Sequence, residues 1–456
     1  MNSSLITNGL ILTLNTKRDI INNGAILIKN GKISKIGTTS ELSVCTADEI
    51  IDARGQIVLP GLVNAHTHTA YYMMRGLGMD RDLLDWLKDT MWPWLIGMDE
   101  EDAYLTSLLG YVECLRSGTT SLIDNQNFPV YNNYLYDMAA QAASLTKLRV
   151  TFAPGFSDIQ FASPPDMVGS LKEIEAECRR MIRTWHNKGR IKVSLSPINL
   201  LFCSDESIRM AINLMKETGT QMHTHVAESK REYENLKKRF GKGYIEAFND
   251  LGALNENFQS VHSVWITDKE IDLMANTGVT AINNPTSNMM LSSGIAPVIK
   301  MLKKKVNVAL GTDSPNNNND MFEAMKYASL LQKVGSLDSL SISASDVLEM
   351  ATINGARALQ MQDQIGSLEE GKLADIIIVD CRRVNTTPMH DPISTLVYSA
   401  KADNVTHVMV EGELLLREGK ITFLNEDRLI EEVQHHADNL RMRVNENVKN
   451  KQGKCK

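Results

Sequence analysis

The 456-residue sequence predicts an α/β protein, a (β/α)8 TIM-like barrel with a small β-sandwich built from its N- and C-terminal segments. Two observations predict it. Short apolar runs alternate with helical stretches through the middle of the chain, the pattern of repeated β-α units around a parallel sheet. β-rich segments also stand at both ends of the chain, and neither has enough strands to be stable alone, so the two are expected to pair. The runner-up, a doubly wound open sheet, lacks a Gly-rich phosphate loop after its first strand.

Residues 1–59 form the first part of the sandwich: "LITNGLILTL", "GAILIKNGKISKIG" and "IIDARGQIVLP" are β-rich and carry Asn-Gly, Lys-Asn-Gly-Lys and Ala-Arg-Gly turn signals. Residues 60–365 form the barrel, with strands expected at "VLPGLVNAHTH", "TTSLIDN", "RVTFAPG", "IKVSLSP", "QMHTHVAE", "FQSVHSV", "VTAINNP" and "VNVALGTD". Residues 366–425 return to β texture in "GKLADIIIVD" and "VTHVMVEGELLLREGKIT", completing the sandwich. Residues 426–456 read as a polar-faced helix ending in the frayed tail "KNKQGKCK".

Composition narrows the function. A net charge of −7 argues against a nucleic-acid or anionic-membrane partner. Six cysteines without CxxC spacing, among them Cys45, Cys203 and Cys455, read as free thiols of a reducing compartment. No apolar run has the length of a membrane span and no signal peptide precedes the first strand, so a cytoplasmic location is expected.

Histidine is scarce, 10 of 456 residues, yet His66 and His68 stand two apart after Pro60-Gly61. In an extended segment such residues share a face, and two adjacent imidazoles are readily explained by a metal ion between them. HxH also arises by chance on surfaces, so further ligands must come from elsewhere. Active-site groups of a barrel sit at the C-terminal ends of its strands. Those ends supply His225 and Glu228 in "QMHTHVAES", His262 in "FQSVHSV" and Asp313 in "VNVALGTDS".

The motifs "PGLVNAHTH", "HVAES", "VHS", "NNPTSNMMLSSGIAPV" and "GTDSPNNNNDMFEAM" resemble, in order and spacing, the amidohydrolase superfamily, specifically its metal-dependent deaminase branch. That branch includes methylthioadenosine/S-adenosylhomocysteine deaminases and triazine hydrolases. The resemblance implies that His66, His68, His225 and Asp313 hold one divalent metal, Zn2+ first and Fe2+ as the alternative. A nitrogen-rich set with one carboxylate and an open position suits either ion. His223 also points inward, but the family pattern places the ligand directly before "VAE", which leaves His223 as a buried, hydrogen-bonded histidine. A second metal would need a lysine at the end of the fourth strand, and Lys192 stands only at its start.

The implied reaction is hydrolytic deamination of an N-heterocyclic amine such as a nucleobase, an adenine nucleoside or an aminotriazine. In it Glu228 protonates the ring nitrogen, Asp313 moves the water proton to the leaving amine, and His262 hydrogen-bonds the developing charge. An isolated Glu228 would read as a solvated residue opening a helix; His225 three residues earlier favours catalysis. Loss of chloride or an alkylamine, or hydrolysis of a cyclic amide or guanidine, could use the same site. A non-catalytic binding barrel is disfavoured, because the ligands and Glu228 are all present.

Departures from the family bear on the substrate. The nucleoside deaminases carry a histidine after the fourth strand, where this chain has Ile198. They also carry a sugar-binding glutamate after the first helix, where "DWLKDTMWPWLIGM" supplies Trp94 and Leu95. Unpaired sugar hydroxyls are costly to bury, so a smaller or more apolar planar substrate is expected. Trp86 is placed to cover the ring, Ser314 to contact the substrate, and Met73, Met74 and Met98 to line the pocket, although methionines at helical spacing are more often core. Homodimers or larger homo-oligomers are expected, given insertions such as "DLLDWLKDTMWPWLIGMDEED" that read as exposed.

Overall fold

The computed structural model describes residues 3–129, 134–314 and 318–453, the side chains of 448–453 excepted. Eight strand positions run in parallel in barrel order. They are Leu62–Thr67, Thr119–Gln126, Arg149–Phe156, Ile191–Val193 continued by Ser196–Pro197, Met222–Val226, Phe258–His262, Thr280–Asn283 and Asn307–Leu310. Two hydrogen-bonded arcs make up this set. One junction is bridged by Leu195 and Met222. The other closes where the amides of Thr312 and Asp313 both donate to the His66 carbonyl, each at 3.0 Å. Val63, Ala65, Ile123, Ala153, Val261, Ile282 and Ala309, from six strands, pack together with Ala358 to fill the barrel interior.

Both chain ends build one nine-stranded sheet. Its centre is the antiparallel pairing of Ile376–Asp380 with Gln56–Pro60, residues from opposite ends of the sequence. The sheet folds over on itself. Ile33 near one end and Met409 near the other share a core with Ile6, Ile28, Val58 and Ile378. The Gly31 and Gly412 turns meet, with the Gly31 carbonyl accepting from Ala374 and the Ala374 carbonyl from Gly412. That is a small sandwich. Asn30-Gly31 and Glu411-Gly412 each take two successive positive φ values, the backbone that two-residue hairpins require.

Two turn signals act otherwise. Asn8-Gly9 lies inside the strand Ser3–Leu12, where the register slips on both sides of Gly9; a Cβ there would stand 2.6 Å from a Val58 methyl, so the glycine lets a neighbouring strand close in. Ala53–Gly55 makes a jog, not a hairpin, because Glu49–Asp52 and Gln56–Pro60 both run parallel to Ser3–Leu12.

Barrel and sandwich are joined by a buried ion pair. Arg149, opening the third barrel strand, contacts Asp375 at 3.2 Å and Glu411 at 2.8 Å, and Asp375 also accepts the Glu411 amide. Removing one partner of such a pair strands the other charge. Arg149→Ala is expected to lower stability by about 3 kcal/mol, read as a shift of the urea midpoint at unchanged slope.

The C-terminal helix Glu426–Gly453 lies against Glu100–Arg116, burying Leu429, Val433, Leu440 and Val444. Arg443 and His436 of this helix both contact the buried Asp102 carboxylate. Helical backbone continues through Gly453, into the segment expected to fray; residues 454–456, with Cys455, lie outside the described residues. The other five cysteines are free. Among the described residues no helix is long and apolar enough to cross a membrane.

Candidate metal centre and catalytic pocket

The strand ends converge. Asp313 Oδ1 lies 3.2 Å from Nε2 of both His66 and His68. His225 stacks parallel to His68 with ring centroids 5.6 Å apart, and stands 5.1 Å from His66. Ligand atoms of His66, His68 and Asp313, and of His66, His225 and His262, lie within 4.8 Å of one another. His262 Nε2 sits 3.5 Å from Asp313 Oδ2 and 3.6 Å from Glu228 Oε2. All of the expected ligands and catalytic groups are thus brought to one end of the barrel.

The chain reaches this geometry through local strain. His262, Asp313 and Ala227, the residue before Glu228, take φ values of 70°, 58° and 49°. Each left-handed non-glycine residue costs about 1–3 kcal/mol unless its surroundings impose it, and such residues gather at functional sites. Gly311 is required: a Cβ there would lie 2.8 Å from the His66 carbonyl oxygen that anchors the next two amides. His66 departs from simple alternation. Val63 and Ala65 already face the barrel interior, so His66 would point outward, but a register irregularity between Asn64 and Thr67 re-aims it.

The donor set fits a divalent cation. His68 Nδ1 lies 2.6 Å from the Asn125 carbonyl and His225 Nδ1 lies 3.1 Å from the Ile198 carbonyl. A carbonyl can only accept, so each Nδ1 carries the proton and each Nε2 keeps its lone pair. His66 Nε2 is buried and no hydrogen bond satisfies it. Burial holds His66 and His225 well below the usual histidine range, although Asp313 opposes the effect, so both stay neutral as ligands must. Burial works against ionised Asp313, yet the imidazoles facing it, His262 among them, outweigh that and hold the carboxyl well below its ordinary value.

Glu228 behaves in the opposite way. It is buried, and burial pushes its carboxyl up to about 7; His262 opposes this, while Glu232 and Asp313 add to it. Glu232, which the sequence did not single out, holds the turn that carries Glu228. Its Oε2 accepts the amides of Glu228 and Ser229, and its Oε1 accepts Asn199 Nδ2 and Tyr244 OH. Asn288 Oδ1 lies 3.0 Å from His262 Nδ1, and Asn284 Nδ2 donates to Asp313 Oδ2. Both come from the motif "NNPTSNMMLSSGIAPV", to whose asparagines the sequence reading gave no individual role.

A cavity of about 290 Å3 opens over His68, His225, His262, Glu228 and Asp313. Trp86, Trp92, Met91, Phe161 and Ile198 wall it, and Ser314 also lies on its lining. Met73, Met74 and Met98 do not; Met74, Met98 and Leu95 are core, while Met73 and Trp94 line a separate cleft against the C-terminal helix. The segment Leu83–Gly97, expected to be exposed, turns its aromatic residues inward, with a π-helical stretch at Leu87–Met91 between two α-helical ones. Residues 130–133, and residues 315–317 within the motif "GTDSPNNNNDMFEAM", lie outside the described residues.

The chain is similar to known proteins over most of its length. The chain is 38% identical over 445 residues to a 5'-deoxyadenosine deaminase of Methanosarcina mazei, covering 97% of this chain and 99% of that protein. It is 35% identical over 441 residues to a 5-methylthioadenosine/S-adenosylhomocysteine deaminase of Thermoanaerobacter pseudethanolicus, covering 96% and 99%. A crystal structure of an adenosine deaminase from Xanthomonas campestris with bound zinc superposes with a TM-score of 0.91 at 28% identity, covering 96% of this chain and 98% of that one. The Amidohydrolase family matches residues 57–415. With four imidazoles and a carboxylate gathered at the strand ends of a closed barrel, and with most of its length matched, the chain belongs to the Amidohydrolase family.

Proposed function

We propose that this protein is a metal-dependent hydrolytic deaminase of an N-heterocyclic aromatic amine. One divalent ion, zinc in preference to ferrous iron, would be held by His66, His68, His225 and Asp313. The observation that carries this reading is the geometry at Asp313 Oδ1, 3.2 Å from two imidazole Nε2 atoms, one of them buried without a hydrogen bond. When bound, the ion acidifies water so that hydroxide is available near neutral pH.

The remaining work falls to the side chains. Asp313 Oδ2 faces His262 and Asn284, so Asp313 can take the water proton and deliver it to the departing amine. His262 donates to the oxygen that gains negative charge as the new C–O bond forms. Glu228, held protonated to about pH 7, gives its proton to the ring nitrogen, which relieves the negative charge pushed into the ring. The C–N bond then breaks and ammonia leaves.

The cavity wall favours a flat ring with an apolar flank. Trp86 and Trp92 supply aromatic surface, and Ile198 adds an aliphatic side chain. The relatives' name as 5'-deoxyadenosine deaminases supports an adenine ring, and that nucleoside carries a methyl group where adenosine has a hydroxymethyl. An ammonia-release screen of metal-replete enzyme should cover 5'-deoxyadenosine, adenosine, free purine bases and alkylated aminotriazines with and without a ring chlorine. Compounds with an apolar substituent are expected to exceed adenosine in kcat/KM by about tenfold, the worth of one or two methylenes in an apolar pocket. Preference for adenosine would reject the apolar flank. Release of chloride or alkylamine without ammonia from any compound would reject deamination.

A further inference from the structure

His66 differs from the other two imidazoles of the centre. His68 and His225 each place Nδ1 directly against a backbone carbonyl, which fixes their tautomer. The Nδ1 of His66 meets another imidazole instead, His223 Nε2 at 2.7 Å. Two neutral imidazoles can share that proton either way round. In one arrangement His66 Nε2 carries a lone pair; in the other it carries a hydrogen and cannot bind a metal.

The choice is settled two residues further on. His223 Nδ1 lies 2.8 Å from Gln259 Oε1, and Gln259 Nε2 donates to the Ala358 carbonyl at 2.6 Å. Gln221 Nε2 donates to the same carbonyl. A carbonyl oxygen has no proton to give, so the Gln259 amide must turn its NH2 toward Ala358 and its oxygen toward His223. His223 Nδ1 therefore donates, His223 Nε2 accepts, and His66 Nδ1 donates. All three side chains of this chain of hydrogen bonds are fully buried, so water offers no competing partner.

We infer that His223 is a positioning residue that, with Gln259 and the Ala358 carbonyl, locks His66 in the tautomer whose Nε2 lone pair faces the metal. The inference rests on the metal centre proposed above. By this relay all three imidazole ligands end on backbone carbonyls, two directly and one through two intervening side chains. Groups that hold a ligand histidine in this way typically contribute 10- to 100-fold in metal affinity.

The test is zinc affinity by chelator competition, with the melting temperature of each metal-free variant beside it. His223→Phe keeps the ring and removes the acceptor; its zinc dissociation constant is expected to rise about 10- to 100-fold. His223→Gln can accept from His66 through its oxygen and donate to Gln259 through its amide, so it is expected to stay within about threefold of the parent. Gln259→Leu, two links from the ion, should weaken zinc in the same direction by a smaller factor and serves if the phenylalanine variant does not fold. A purely structural histidine would lower the metal-free melting temperature and leave the dissociation constant alone. The relay is overturned if His223→Phe or Gln259→Leu binds zinc as the parent does, or if Gln and Phe at 223 weaken it equally. If the parent itself takes up no zinc, the metal centre fails first and the relay with it, a result distinct from a parent that loads fully and variants that match it.

Discussion

Glu228→Gln is expected to load metal like the parent and to lose about 10²- to 10⁴-fold in turnover, the usual contribution of a positioned proton donor. The separation of the two effects is the point. Glu228 Oε2 faces His262, and Glu228 is absent from both clusters of converging ligand atoms, so an amide there leaves the proposed coordination intact. What it removes is the proton that a carboxyl near its midpoint at about 7 can give and regain in each cycle. Metal content by atomic spectroscopy and steady-state ammonia release on the same preparation decide it. Full metal with undiminished turnover would reject Glu228 as the shuttle.

The same variant has a second consequence, in the metal-free protein. A carboxyl whose folded value lies near 7, against 4.5 when unfolded, ionises first in the unfolded chain. Its contribution to stability is complete below pH 4.5 and is lost as pH rises toward 7, by about 3 kcal/mol in all. Glutamine does not titrate. Metal-free Glu228→Gln should therefore gain on the metal-free parent between pH 4.5 and 7.5, with the gap widening as pH rises. Urea midpoints that keep a constant difference across this range would mean that the Glu228 carboxyl is not pushed up.

These expectations show which parts of the molecule are legible in one sequence. The eight barrel strands were legible because each is a short buried run with a helix after it, and the ligand positions were legible because they stop such runs with residues that a core would otherwise exclude. The hairpins at Asn30-Gly31 and Glu411-Gly412 follow from turn chemistry that acts over two residues. Asn8-Gly9 has the same local chemistry and a different outcome, since Val58, from a strand far along the chain, needs the space. Leu83–Gly97 reads as an insertion, but its tryptophans are drawn to the pocket wall and core by partners such as Tyr71, whose ring lies 5.9 Å from Trp86. His223 is the plainest case. Its partners, His66 and Gln259, lie 157 and 36 residues away, and no periodicity within a strand could reveal the direction in which protons are ordered between them.

Asp313→Asn should have the largest effect of any single change. The amide preserves shape and can still accept from Asn284, but it removes the one negative charge set between His66 and His68. A dication held by neutral imidazoles then loses its only directly opposed charge in a site shielded from water, where Coulomb attraction is several-fold stronger than in bulk. The acceptor for the water proton is lost as well. Zinc remaining after dialysis should fall to about a tenth of the parent's or less, a loss of about 10- to 100-fold being usual even for groups that only support a ligand, and turnover should fall by about 10⁴-fold or more. His262→Asn provides the contrast. His262 joins His66 and His225 in one converging cluster, yet its Nε2 also faces both carboxylates. If it serves the developing oxyanion, its asparagine variant keeps zinc and loses about 10²- to 10³-fold in kcat. The reverse pattern, with zinc kept by Asp313→Asn and lost by His262→Asn, would make His262 the fourth ligand and leave Asp313 as a proton carrier alone. That result would reassign the coordination while leaving the fold and Glu228 untouched.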